Sequence, residues 1–338
     1  MDLDVVFIGT SGSTPTARRA PAATLLRRGG ERLLVDCGEG TQRQLLRSDV
    51  GLVDLEEIFL THFHADHFLG LPGMLKTFGL RGRELPLTIY GPRGLGELVD
   101  ALRRIFGRLT FPSEIVELAE GDVLARDGYE LRVVGVRHTG ASIGYALVEH
   151  ERPGRFDVAR ADALGVPPGP ARGALQRGEP VTLEGGAVVG PADVLGPPRP
   201  GRKLVLTGDT APVDSVVEAA EGADLLVHEA TFCEDEADRA RETEHSTARE
   251  AAEVARDAGV KLLALTHISN RYGGGDVERE ARETFARTVV PRDFDVIEIS
   301  FAERGAPELV KSGARLRKAE SPVAPDAEAA LQAVRPDS

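Results

Sequence analysis

The chain has 338 residues and a formal charge of −13 at pH 7, and of its 41 basic residues only Lys76, Lys203, Lys261, Lys311 and Lys318 are lysine. That length supports one large α/β domain or two ordinary ones with a substantial core, and the acidic balance argues against a general polyanion binder, DNA included, although RNA binding needs only a local basic patch. Two cysteines, Cys37 and Cys233, are too few for a disulfide scaffold and are not spaced as a zinc ribbon; with no signal-like N-terminus and no long apolar stretch, a soluble cytoplasmic protein without a membrane partner is expected.

Val5 to Thr10 reads as a first strand, and Ala22 to Arg28 and Glu31 to Asp36, joined through Gly29 and Gly30, read as a hairpin. Gln42 to Arg47 has helical spacing. Leu55 to Leu60 reads as a buried strand, with the run Thr61-His62-Phe63-His64-Ala65-Asp66-His67 on the loop at its end. A helix over Leu71 to Leu80, a strand over Leu87 to Tyr90 and an amphipathic helix over Leu95 to Phe106 follow, and strands over Glu130 to Val136 and Ile143 to Glu149 flank His138. From about Arg152 to Pro200 proline and glycine become frequent and periodicity fades, which marks an excursion from the core. Order returns with a strand over Lys203 to Thr207, whose end carries Gly208-Asp209-Thr210. Leu225 to His228 is a further strand, Ser246 to Ala258 a helix, and Leu262 to Leu265 a strand ending in Thr266-His267. Residues 306–338 lack an apolar face and are expected to form a disordered tail.

Three imidazoles and a carboxylate within six positions point to a metal site, because these are the ligands zinc takes at catalytic centres. His62 and His64 alternate, so on an extended backbone both rings point the same way and grip one ion, leaving Asp66 and His67 for a second. His62, Asp209 and His267 each follow a short apolar strand, where reactive groups of α/β folds collect; Asp36 and His228 occupy the same kind of position.

This combination of His-x-His-x-Asp-His, the lone His138, the Gly-Asp-Thr aspartate and the final strand-end His267 resembles the metallo-β-lactamase superfamily over roughly residues 1 to 300. The resemblance implies an α/β fold, an αββα sandwich of two mixed sheets flanked by helices, with two zinc ions per subunit at one edge. By the same resemblance His62, His64 and His138 hold the first zinc, Asp66, His67 and His267 the second, and Asp209 bridges both. Two cations about 3.5 to 4 Å apart serve metal-assisted hydrolysis, and the fold alone does not name a substrate.

His228-Glu229-Ala230-Thr231 and His245-Ser246-Thr247 look like the signature pair of the ribonuclease Z family, endonucleases that remove the 3′ trailer from precursor tRNA. The implied reaction is zinc-dependent cleavage after the discriminator nucleotide, leaving a tRNA 3′-hydroxyl and a trailer 5′-phosphate. The departing ribose 3′-oxygen needs a proton, and a histidine held by a carboxylate supplies one near neutral pH. His245 oriented by Glu229 is the candidate donor, and Asp66 is a candidate base. The plainer readings are a helix-entry residue for His245 and a brace on His228 for Glu229.

The excursion is similar to the flexible arm with which ribonuclease Z clasps tRNA, so the expected organisation is a catalytic domain over 1–305 with 152–200 inserted as a tRNA-binding arm. Around Gly169 and Pro170, the window from Gly165 to Gly178 carries Arg172 and Arg177 and no acid, a local charge reversal suited to phosphate. Ser269 and Arg271, in the final motif, are further phosphate candidates. One departure stands near the N-terminus, where the family shows Pro-x-Lys-x-Arg-Asn and this chain reads Pro15-Thr16-Ala17-Arg18-Arg19-Ala20. By the resemblance this loop lies beside the cleavage site; Arg19, a substrate-binding candidate, is kept, but Ala17 and Ala20 replace the Lys and Asn, which puts discrimination against CCA-bearing ends in question. The resemblance also implies a homodimer in which one subunit's arm serves the other's site. Two competing readings are a small-molecule phosphodiesterase or arylsulfatase-like hydrolase of the same fold, and a non-catalytic RNA-binding protein with a relict site.

Overall fold

The computed structural model of the chain describes residues 1–52 and 54–311. The first half lays down β1 (Leu3–Gly9), β2 (Ala23–Arg28), β3 (Glu31–Val35), α1 (Thr41–Arg47), β4 (Glu57–Phe59), α2 (Ala65–Phe68), α3 (Gly70–Leu80), β5 (Leu87–Pro92), α4 (Leu95–Phe106) and β6 (Ser113–Leu118). Then come β7 (Val123–Arg126), β8 (Tyr129–Gly135) and β9 (Ile143–Glu149), followed by the excursion with α5 (Val158–Ala163), α6 (Pro170–Gln176) and the short hairpin β10 (Val181–Thr182) and β11 (Val188–Val189). The chain closes with β12 (Lys203–Leu206), α7 (Asp214–Ala220), β13 (Leu225–Glu229), α8 (Ala237–Glu242), α9 (Ala248–Asp257), β14 (Leu263–Thr266), α10 (Gly274–Thr284), β15 (Thr288–Val289), β16 (Val296–Glu298) and β17 (Glu308–Val310).

Two mixed sheets result, ordered β17-β16-β1-β2-β3-β4-β5-β6 and β15-β14-β13-β12-β9-β8-β7. Their central strands are apolar on both faces because each face is covered. In β1, Val5 and Phe7 enter the layer between the sheets with Leu26, Phe59, Tyr145 and Leu204, while Val6 and Ile8 face outward to Leu71, Met74 and Val99 of α3 and α4. The second sheet is covered by α7, α9 and α10 through Val216, Ala251, Ala255 and Val277. The layers are therefore helices, sheet, sheet, helices, the αββα sandwich that the motifs imply. Among the described residues no helix is long and apolar enough to cross a membrane.

β3 to β6 run parallel in one sheet and β12 to β15 in the other. The carboxyl ends of β3, β4, β12, β13 and β14 converge on one edge, where ligand sites of α/β sheets form. The excursion leaves from the opposite end: β9 pairs antiparallel with β12, so Glu149 and Lys203 lie at the edge away from Asp209. The seven steps along the chain from Arg202 to Asp209 span about 23 Å at strand rise.

The excursion is more ordered than its composition predicts. Ala161, Val166, Leu175, Val189 and Val194 form a small core of its own beside the main one. A second correction concerns the tail. β17 lies inside the stretch expected to be structureless, yet Glu308, Leu309 and Val310 pair in register with Glu298, Ile297 and Val296. The fold thus extends past residue 305, because an edge strand needs only one partner and the three-residue run Glu308 to Val310 is too short to show a period. Residues 312–338 of the expected tail lie outside the described residues.

At the root of the excursion Glu149 is buried between two arginines. It accepts from Arg28 Nε at 3.1 Å, Arg202 Nε at 2.7 Å and Arg202 Nη2 at 2.7 Å. Burial alone would raise its pKa, but the bonds to Arg202, helped by Arg28, more than offset this and hold it below the ordinary 4.5. A depressed carboxylate contributes stability that is present above about pH 4.5 and is lost as pH falls through the folded value. Glu149→Gln leaves the buried Arg202 without a counter-charge and Arg28 with only Glu31, and urea unfolding at pH 7 should show a loss of about 3 kcal/mol. That loss should shrink as the pH is lowered below about 4.

Candidate metal centre

Each polar side chain at the edge is delivered by a strand end or the turn after it. β4 feeds the loop carrying His62 and His64; Asp66 and His67 sit on the first turn of α2. His138 lies between β8 and β9, Asp209 just past β12 and His267 just past β14. Close backbone packing fixes this loop. Cys37 donates its N–H to the His67 carbonyl at 2.7 Å and Gly70 donates to Cys37 O at 2.8 Å, an approach that a side chain at Gly38 or Gly70 would block. Gly208 is required too: its φ is +64° and a Cβ there would lie 2.7 Å from Thr61 Cβ. Asp36 and His267 adopt φ of +61° and +56°, a left-handed conformation that costs on the order of 1 kcal/mol or more for a non-glycine residue and is retained where the site requires it.

Asp209 is the centre of the cluster. Its Oδ2 lies 3.3 Å from Nε2 of His67, 3.3 Å from Nε2 of His267, 3.6 Å from Nε2 of His62 and 3.8 Å from Nε2 of His138. His138 Nε2 is 3.2 Å from His64 Nδ1, and Asp66 Oδ2 is 3.1 Å from His267 Nε2 and 3.7 Å from His67 Nε2. Donors arranged tetrahedrally around one zinc are about 3.4 Å apart, so these separations fit ligands facing a common cation. Three such groups form among the described residues: His62, His64, His138 with Asp209; Asp66, His67 with His267; and Asp209, His245 with His267. Nε2 of His62, Nε2 of His67 and Oδ1 of Asp209 are buried without a hydrogen-bond partner. Orphaned donors of this type are costly unless a cation takes them.

The other ring nitrogens are held from behind. His67 Nδ1 pairs with Asp36 Oδ2 at 2.8 Å, His62 Nδ1 with Thr61 Oγ1 at 3.0 Å, His138 Nδ1 with the Glu244 carbonyl at 2.9 Å and His267 Nδ1 with Thr231 Oγ1 at 2.8 Å. Such outer partners fix which nitrogen faces the metal. Electrostatics point the same way. Burial, reinforced by His67, pushes His62 down to about 2, so it stays neutral. His67 is raised well above its ordinary value, since Asp209 and Asp36 outweigh its burial. Asp209 is held far below the carboxylate range, its own burial overcome by His267 and His67.

Beside this cluster stands a separate pair. His245 Nδ1 lies 2.6 Å from Glu229 Oε1, and Glu229 also accepts from Thr210 N at 2.9 Å, Thr231 N at 3.1 Å and Thr231 Oγ1 at 2.5 Å. Burial lowers the pKa of His245, but the Glu229 carboxylate more than compensates and raises it to about 9. Glu229 itself is lowered, its burial overcome by His245. His245 Nδ1 is 4.0 Å from Asp209 Oδ2, so the pair adjoins the cluster.

Other expected contacts fare differently. Arg19 points inward, donating to Thr10 Oγ1 at 2.6 Å and to the Pro291 carbonyl at 2.9 Å; it braces the N-terminal loop and is not presented to a substrate. Arg172 is likewise consumed within the excursion, by the Val166 carbonyl and by Asp162. Arg177 remains 63% exposed but pairs with Glu179, so the charge reversal read from the 165–178 window is cancelled by acids just outside it. Gly169 and Pro170 lie on the exposed entry to α6, with Gly169 at φ +103°. Ser269 is nearly buried and its hydroxyl accepts from Arg271 N at 3.4 Å, whereas the Arg271 side chain is exposed. Sequence reading left the bracing roles of Asp36, Thr61 and Thr231 unassigned, although Asp36 was visible as a strand-end acid. Ser13 N, which donates to Asp66 Oδ2 at 2.8 Å, carried no signal because a backbone amide is not a sequence feature.

A family model described as the metallo-β-lactamase superfamily matches residues 17–267. Ribonuclease Z of Natronomonas pharaonis is 49% identical over 308 residues, covering 90% of this chain and all of the relative. Ribonuclease Z of Myxococcus xanthus is 52% identical over 271 residues, covering 80% of this chain and 88% of that one. The crystal structure of the short form of human tRNase Z superposes with a TM-score of 0.63 at 28% identity, covering 88% of this chain and 99% of the other. The chain belongs to the metallo-β-lactamase superfamily and, within it, to the ribonuclease Z family.

Proposed function

We propose that the chain is a metal-dependent endoribonuclease that removes the 3′ trailer from precursor tRNA, cutting after the discriminator nucleotide. The observation that carries this reading is the His245–Glu229 pair set against a seven-residue donor cluster. Hydrolysis of an activated ester needs no proton donor of this strength, whereas a ribose 3′-oxygen is a poor leaving group without one.

Zinc is the cation that suits the donor set, two ions per subunit, one on His62, His64 and His138, one on Asp66, His67 and His267, with Asp209 shared. When bound, the cations supply Lewis-acid charge at the phosphate and make water nucleophilic at neutral pH. The remaining steps belong to side chains. His245, protonated at neutral pH and turned by Glu229 so that Nε2 addresses the substrate, gives its proton to the departing 3′-oxygen. The P–O3′ bond breaks, water supplies the new oxygen on phosphorus, and the products are a tRNA 3′-hydroxyl and a trailer 5′-phosphate. Asp66 is better fitted to holding a cation than to acting as base, because His267 and His67 overcome its burial and hold its carboxyl far below the ordinary range.

The excursion serves as the tRNA-binding arm. Its root stands about 23 Å along β12 from Asp209, which favours a homodimer in which one subunit's arm serves its partner's site. The Arg177–Glu179 pair is solvent-exposed and screened, so a phosphate can displace Glu179. The setting is cytoplasmic, where tRNA precursors are processed.

Purified protein incubated with an unprocessed tRNA transcript should yield one new 3′-hydroxyl end directly after the discriminator and a 5′-phosphorylated trailer. Cleavage elsewhere, a cyclic phosphate end, or hydrolysis of a small diester with the transcript untouched would overturn the assignment. Removal of residues 156–195 is structurally mild, since Gly196 N already donates to Arg155 O at 3.0 Å. It should raise KM for the transcript on the order of 100-fold and leave turnover of a small phosphodiester within about twofold.

A further inference from the structure

The arm does not leave the core on a free hinge. Its two stalk strands are joined at Arg152 and Arg199, which exchange backbone hydrogen bonds at 2.7 and 2.9 Å. Both side chains then converge on one acid from the far end of the chain. Arg152 meets Glu303 with two bonds of 2.9 and 3.0 Å, and Arg199 reaches the same carboxylate at 2.9 Å. Two residues earlier the Phe301 ring carries the guanidinium of Arg152 at 3.5 Å from its centroid and that of Arg202 at 4.1 Å. Arg202 is in turn buried on Glu149 and bonded to the Ile299 carbonyl at 2.9 Å. Phe301 and Glu303 belong to the connection between β16 and β17, whose pairing holds both ends of it on the first sheet.

A two-point Arg–carboxylate bond fixes orientation as well as distance, and a cation over an aromatic face adds a second, independent restraint. Three arginines of the arm root are therefore held against a segment of the opposite sheet. We propose that the β16–β17 connection is the positioning element of the arm: Phe301 and Glu303 set the direction in which residues 156–195 project and so present precursor tRNA at a fixed angle to the metal centre. Direction matters because an arm and a cleavage site linked rigidly act at high effective concentration, which falls once the link can swing. The inference rests on the arm being the tRNA-binding element, and its test separates the two.

The test uses the full chain with Phe301→Ala and Glu303→Ala together, and a nitroxide pair at Glu184→Cys, exposed on the arm, and Arg104→Cys on α4, the native cysteines being buried. The expected result is a broadened distance distribution, KM for the transcript raised on the order of tenfold, kcat nearly unchanged and small-diester turnover unchanged. With Glu303 kept, Phe301→Trp alone should preserve both the narrow distribution and KM, and Phe301→Leu alone should not, since leucine fills the space without a π face. An unbroadened distribution overturns the clamp. A broadened distribution with unchanged transcript KM overturns the arm as the tRNA-binding element, and the proposal with it. Equal loss on transcript and small diester shows a general fold contact and also overturns it.

Discussion

Asp209→Asn should remove activity and metal together. Elemental analysis of the purified variant should find well under two cations per chain, and cleavage of precursor tRNA should fall on the order of 10³-fold or more, equivalent to the several kcal/mol of charge stabilisation that bound cations supply. The reason is positional. Oδ2 of Asp209 stands 3.3 to 3.8 Å from imidazole nitrogens of both ligand groups, so this one carboxylate would supply charge to a cation held in either group. An amide keeps the shape and loses the charge. Asp36→Asn should behave differently, because Asp36 acts from behind, on His67 through Nδ1 and on His62 by way of Thr61, and weakens the grip of those ligands without removing one. Metal affinity should drop by about 10- to 100-fold, and excess zinc should restore most of the rate. Restoration of Asp209→Asn by the same excess, or two tightly held cations in that variant, would show that the bridging role has been misassigned.

The donor set was legible because its members are chemically rare and occupy equivalent places. His62, Asp209 and His267 each end an apolar strand, and parallel strands bring their ends to one edge, so a one-dimensional coincidence became a three-dimensional cluster. What failed to show depended on partners distant in the chain or just outside the window considered. Arg172 and Arg177 looked free because Asp162 and Glu179 lie beyond the acid-free run, and Arg19 looked available because the Pro291 carbonyl that holds it is 272 residues away. β6, with Glu114 and Glu117 among its six residues, and the three-residue strands β16 and β17 lack the alternation that marks a strand, and sheet neighbours decide them. Asp36 was visible as an acid at a strand end, but its bond to His67 requires the turn from β3 to lie against α2, a matter of packing at Gly38 and Gly70.

His245→Ala should lower kcat by about 10²- to 10⁴-fold, the usual worth of a positioned general acid, with metal content unchanged. Metal content is the decisive control, because His245, Asp209 and His267 also lie close enough together to form a ligand group, and a parallel loss of cation would make His245 a ligand. The role predicts a pH signature. The donor form persists up to about pH 9 because Glu229 outweighs the effect of burial, so the wild-type rate should hold through neutrality and decline above about 9. Glu229→Gln removes the main partner that raises His245 and leaves burial opposed only by the weaker pull of Asp209, so the decline should move to lower pH. A transcript whose scissile 3′-oxygen is replaced by sulfur supplies the final discrimination. Thiolate leaves without protonation, so His245→Ala and the wild type should cleave it at similar rates if the imidazole acts on the leaving group. A penalty as large as on the oxygen substrate would place His245 elsewhere in the reaction.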